Sequence, residues 1–158
     1  MTFLPAMNRD EMERMLGEER VGRIGLNDER QPYVVPTDFA YMDGAIYIHT
    51  PSNGRKARLA RDDPHVCFEV DRYNEAVTDF RSILVRGEIR EVSDSAERRS
   101  AMDILKEKAV KSGDLTEYTV SPDSFSRILV LRIDISEMSG IRSPLNGEGH
   151  HKARVPPH

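Results

Sequence analysis

Short runs in which apolar and polar residues alternate, separated by turn residues, cover most of this chain. They predict an antiparallel β protein. Residues 22–26 form a first strand, closed by the turn Asn27-Asp28-Glu29-Arg30. Residues 31–41 carry the strongest strand signal, with Tyr33, Val35, Thr37 and Phe39 on one side. Pro36 inside that run implies an edge, a bulge or a ligand-facing break in pairing, because proline has no N–H to give to a ladder. Met42-Asp43-Gly44 predicts a tight hairpin turn, with residues 45–50 returning as a strand. Residues 65–70 and 80–92 predict two more strands joined by a polar loop. In residues 127–137, Ile128, Val130, Arg132 and Asp134 alternate with Leu129, Leu131, Ile133 and Ile135.

Helical spacing is confined to three places. Residues 7–20 bring Met12, Met15 and Leu16 onto one face, with Asn8 as cap and Asp10 and Glu11 at the positive end. Residues 55–62 form a short second helix. Asp94 and Glu97 make a capping-box pattern ahead of a third, from Ser95 to about Lys111, whose buried face is Ala101, Ile104, Leu105 and the Lys108 stem. Hairpin-linked strands with peripheral helices indicate a small antiparallel barrel of the mainly-β or α+β kind.

Composition narrows the function classes. With 158 residues, 38% apolar and 32% charged, the chain has the size and balance of one soluble globular domain. A net charge of −4, with both signs interspersed, leaves no basic stripe for nucleic acid. Cys67 is the single cysteine, so no internal disulfide forms, and a reducing compartment fits. The first ten residues carry no secretion pattern, and no apolar run reaches membrane length, so the cytoplasm is the expected location. Residues 1–142 are expected to form the domain. Residues 143–158, rich in Pro, Gly and His, are expected to form a flexible tail.

The second helix breaks an electrostatic rule. Unpaired N–H groups make a helix start positive, so acids belong there and bases belong at the end. Here Arg55, Lys56 and Arg58 crowd the start, and Asp62 and Asp63 crowd the end. A phosphate docked at the start would turn that cost into a gain. Gly54 allows close backbone approach, Arg55 forks onto phosphate oxygens, and Lys56 adds a point charge. The competing reading is a solvated helix whose basic side chains face water.

An ordered succession of segments adds to this: Gln31-Pro-Tyr-Val-Val-Pro-Thr-Asp-Phe, then Asp43-Gly44-Ala-Ile-Tyr-Ile-His49-Thr50, Gly54-Arg55-Lys56, and Val66-Cys67-Phe68-Glu69-Val70. Residues 80–87, from Phe80 through Arg81 and Ser82 to Gly87, look like the strand that follows. Together they resemble the pyridoxamine 5′-phosphate oxidase-like superfamily, and most closely its nitroimidazole-resistance branch. The resemblance spans residues 11–140. It implies an FMN-binding split β-barrel, dimeric, with flavin at the subunit interface. Val35, Pro36 and Thr37 would line the isoalloxazine edge, and Ile48, His49 and Thr50 would lie beside flavin and ribityl chain. Gly54, Arg55 and Lys56 would hold the phosphate, with Arg81 and Ser82 approaching from the neighbouring strand. The chain has no Trp and no C-terminal Arg-x-His signature, which points away from vitamin B6 oxidation. Members of this superfamily also use haem or a deazaflavin.

The expected activity is therefore FMN-dependent oxidation or reduction of a small planar molecule. NAD(P)H is the expected donor, although no dinucleotide fingerprint is present. The rival is a non-catalytic flavin- or haem-binding module for storage, sensing or regulation. His49 is the one acid–base candidate, and an orienting rim histidine is the reading preferred for it. No metal site is expected: His150, His151 and His158 sit in the tail. Cys67 is expected to be a buried core thiol, and Arg72, Tyr73 and Asn74 a surface loop. Residues 138–142 are expected to be able to reach across a dimer interface.

Overall fold

The computed structural model describes residues 3–113, 123 and 126–145. Seven strands form one antiparallel sheet: β1 (Val21–Asp28), β2 (Gln31–Asp38), β3 (Ala40–Met42), β4 (Ala45–Pro51), β5 (His65–Tyr73), β6 (Phe80–Glu91) and β7 (Ile128–Arg142). Their order across the sheet is β2-β1-β5-β6-β7-β4-β3. Edge strands β2 and β3 are adjacent in sequence, so the sheet must curl until its edges face each other. The result is the α+β split barrel expected from the sequence. Three helices flank it: α1 (Arg9–Glu18), α2 (Arg55–Asp62) and α3 (Ser95–Lys111).

The curled sheet encloses a core in which Ile24, Phe39, Ile46, Ile48, Phe68 and Ile83 are completely buried. Alternation in β7 sends Leu131 and Ile133 into this core. Val130 turns to the opposite face and packs with Tyr47, Ala101 and Leu105 beneath α3. The β3–β4 hairpin turns through Asp43 (φ 50°) and Gly44 (φ 77°), the paired left-handed conformation that a two-residue hairpin requires. At α1 the capping box is complete: Asn8 accepts from the Glu11 N–H, and Glu11 accepts from the Asn8 N–H.

Three expectations are corrected. The run 31–41 is two strands: β2 stops at Asp38, and Phe39 carries the chain from one sheet edge to the other. Phe39 is drawn into the core, where its ring meets Phe68 edge-on at 5.2 Å between centroids. Its N–H donates to the Arg20 carbonyl, one last rung in register with the Val21–Asp38 pair, beyond which the chain leaves β1. Cys67 is exposed, because β5 turns Val66, Phe68 and Val70 inward and the intervening residue outward. Lys108 buries its ammonium as well as its stem. Nζ donates to the carbonyls of Leu16 (2.9 Å), Glu19 (2.7 Å) and Phe39 (3.2 Å), giving the end of α1 the positive charge its own last turn lacks. Burial pushes that amine down to about 8.

Residues 138–142 pair with β6 of the same chain, from Arg81 to Val85. Ser143 is buried and exchanges hydrogen bonds with Phe80. Residues 146–158, including the tail's three histidines, lie outside the described residues. Among the described residues no helix is long and apolar enough to cross a membrane.

Candidate functional site

Where the edges of the curled sheet approach each other, a groove of about 420 Å³ opens. The end of β2 supplies Pro36, Thr37 and Asp38, the end of β4 supplies His49 and Pro51, and α2 contributes Lys56. As the edge position of Pro36 demands, β2 pairs on one side alone, with β1, where Pro36 stands opposite Arg23. Four of the residues singled out in the sequence thus share one groove: Pro36, Thr37, His49 and Lys56.

The other seven are distributed around it. Val35 packs against the barrel core, and Ile48 and Thr50 are buried on the face of β4 opposite His49. Gly54 is the cap of α2 and makes no side-chain cap. A Cβ there would stand 3.1 Å from the Pro51 carbonyl and 3.3 Å from Thr50 Oγ1, so a side chain would fit only if those neighbours gave by a few tenths of an ångström. Arg55 leans away from the groove, 2.5 Å from Asp28 and with its guanidinium 4.3 Å from the centre of the Tyr33 ring. Arg81 lines a separate hollow with Arg72, Tyr73, Asn74 and Asp79. The Ser82 hydroxyl donates to Glu69 at 3.3 Å, within a group that also holds Arg23 and Asp71.

Electrostatics single out Lys56. It is half-buried, and that burial holds its amine below the ordinary lysine range despite the nearby Asp38 carboxylate. Among the described residues it has no hydrogen-bond or ion-pair partner. A desolvated, unpartnered cation beside a helix start is a place where an anion would be stabilised. Burial likewise keeps the His49 imidazole below its usual value, with Lys56 acting in the same direction and Asp38 against. That shift favours the neutral imidazole, in which one nitrogen can donate and the other accept.

Two acids escaped the sequence reading. Asp28 closes the β1–β2 turn and holds Arg55, with Arg58 3.9 Å away, so it offsets part of the inverted charge of α2 from outside the helix. Asp38 sits between His49 and Lys56 and pairs with Arg20 at 3.3 Å. Position 38 carried a usable signal, since it directly follows Thr37 in the resemblance. Asp28 carried none beyond its place in a turn.

A family model described as pyridoxamine 5′-phosphate oxidase matches residues 8–142. The chain belongs to the pyridoxamine 5′-phosphate oxidase family. Among solved structures, an FAD-binding protein from Mesorhizobium loti is 26% identical with a TM-score of 0.71, covering 90% of this chain and 99% of its own. A structure described as a candidate 5-nitroimidazole antibiotic resistance protein, from Bacteroides thetaiotaomicron, is 21% identical with a TM-score of 0.74, covering 87% and 86%. An FAD binding protein from Mycobacterium smegmatis is 20% identical with a TM-score of 0.69, covering 90% and 100%. The expected family is thus met, and these structures share its fold.

Proposed function

We propose that this member of the pyridoxamine 5′-phosphate oxidase family binds flavin, as FMN, in the groove between Pro36, Thr37, His49 and Lys56. It is proposed to serve as an oxidoreductase for a small planar substrate. The observation that carries the reading is the half-buried, unpartnered Lys56 at the start of a helix with no acidic residue in its first turn. The groove volume lies within the ~300–1,000 Å³ typical of small-molecule sites, and two solved relatives are FAD-binding proteins.

Lys56 and the first-turn N–H groups of α2 would take the phosphate, with Arg55 joining once it shares or leaves Asp28. Pro36 and Thr37 would form one wall for the ring system, and His49 would offer it a hydrogen bond. A bound flavin supplies the redox chemistry itself, so the protein has only to position it and exclude water. We further propose a homodimer with flavin near the shared face. The outward side of β2, β5 and β6 leaves Val34, Cys67 and Leu84 exposed beside Arg86 and Glu69, a mixed apolar and charged face suited to a second copy. NAD(P)H is the donor to try first, and the cytoplasm the location to expect.

Titration with FMN, FAD and riboflavin tests the cofactor. FMN is expected to bind about 100-fold more tightly than riboflavin, as two charge-assisted phosphate contacts would require. Equal affinity for riboflavin would refute the phosphate site. Preference for FAD would keep the flavin and overturn FMN. Repeated bleaching and recovery of flavin absorbance with NAD(P)H and a quinone or nitroaromatic tests turnover; binding without cycling supports the non-catalytic alternative. Sedimentation of the flavin-loaded protein as a monomer would remove the dimer.

A further inference from the structure

Behind His49 lies a second hollow, of about 180 Å³, between the β4 edge and α3. Asp38 and His49 line both spaces, so the partition between them is one layer of side chains thick. The wall on the far side is different in kind. Met102, Leu105 and Ala109 give it an apolar floor, and Arg20 and Lys106 bring two cations to it. Asp38 is engaged by Arg20, which also donates to the Ser112 hydroxyl at 2.6 Å. Among the described lining residues, Asp38 offsets Arg20 and Lys106 leaves a positive charge over. It is exposed, and among the described residues it has no ion-pair partner.

Size and charge together define an occupant. A cavity of roughly 150 Å³ with apolar walls holds one benzene ring, so this hollow admits a single ring and excludes a fused tricycle. An apolar floor favours a flat ring, and the excess positive charge favours a monoanion. We propose that the hollow between His49 and α3 is the substrate half of the site, taking a single-ring planar monoanion of the aromatic carboxylate class. This rests on the flavin reading for the word substrate, because the ring would then lie across His49 from the cofactor. His49 is the positioning residue between the two, able to hydrogen-bond a guest on either side.

Three ring probes of near-equal size test it: benzoate, benzamide and benzylamine, titrated into the full chain by calorimetry with and without saturating FMN. Benzoate is expected to bind about tenfold more tightly than benzamide, with benzylamine weakest, and FMN should leave benzoate affinity intact. Met102→Trp is expected to weaken benzoate at least tenfold by filling the hollow. Lys106→Glu, a surface change that leaves the core untouched, is expected to weaken it about fivefold. Both variants should keep FMN affinity. Equal affinity for all three probes, or no change in either variant, would overturn the proposal. Displacement of benzoate by FMN would also overturn it, since both hollows would then hold one guest. Benzoate binding by protein that refuses every flavin would uphold the hollow and remove the flavin reading. FMN binding without benzoate would do the reverse.

Discussion

The ends of α1 and α3 and the start of α2 solve the same electrostatic problem in opposite ways. At α1 and α3 the protein supplies counter-groups itself. Asn8 and Asp94 accept from the first-turn N–H groups of α1 and α3, and the Lys108 ammonium, near the end of α3, closes the end of α1 on the Leu16 and Glu19 carbonyls and reaches the Phe39 carbonyl as well. Glu97, free of the cap, binds both Arg132 (2.7 Å) and the buried Tyr47 hydroxyl (2.7 Å), which is pushed up to about 12, chiefly by burial. At α2 the cap is a glycine, the first turn is cationic, and Asp28 answers only Arg55 at close range. A helix end completed from within belongs to the scaffold, whereas one left incomplete can be finished by a guest.

Substitutions that leave each end unbalanced test this contrast, and the greatest loss is expected at the end of α1. Lys108→Met keeps the stem but strips a charged donor from three carbonyls, two of them in buried contacts, and is expected to lower stability by about 3 kcal/mol. Urea unfolding measures it. The same residue sets a pH trend. With its folded pKa near 8 and its unfolded value near 10.5, the unfolded chain binds more protons between those values, so stability rises with pH across that window. Wild type should gain on Lys108→Met from pH 8 to 10 in thermal melts, before Tyr47 begins to titrate.

Next in size is Lys56→Met, expected to cost flavin affinity about 2 kcal/mol, or some thirtyfold, while leaving the empty protein as stable as before or more so. Parallel FMN titrations and melts decide the matter. If stability and affinity fall together, Lys56 is scaffold and the contrast is broken. Asp94→Ala should remove about 1 kcal/mol of stability through the lost cap of α3, with FMN affinity unchanged. The smallest effect is expected for Asp28→Asn. Releasing Arg55 and removing a negative charge beside the phosphate should tighten FMN about threefold, an effect that added salt erases.

Local rules were enough for most of the framework. Asn8, the Asp43-Gly44 turn and the two-faced alternation of β7 each act over a few residues, so their consequences are visible in the chain itself. Phe39 was misplaced because its alternation continues that of Tyr33, Val35 and Thr37. The pull that breaks the strand comes from Phe68 and Lys108, distant in sequence. Cys67 was misjudged for a related reason: its apolar neighbours suggested a core run, but a strand period of two sends it outward. At the candidate site, proximity to the chain's own motifs located His49 and Lys56. The rotation of Arg55 toward Asp28, and of Arg81 toward Arg72, depends on tertiary neighbours that no spacing encodes.

The passage of the chain through Phe39 also limits how far the two edges of the sheet can part. No ladder joins the two edges of the sheet, so widening the gap between them breaks no strand hydrogen bonds. At the Phe39 end the gape is capped, because two Cα steps span at most about 7.6 Å. Any parting of the edges would therefore hinge at Asp38–Ala40, with the free ends beside Pro51 and α2. On the flavin proposal, the nucleotide would enter from those ends ring first, leaving its phosphate beside Lys56.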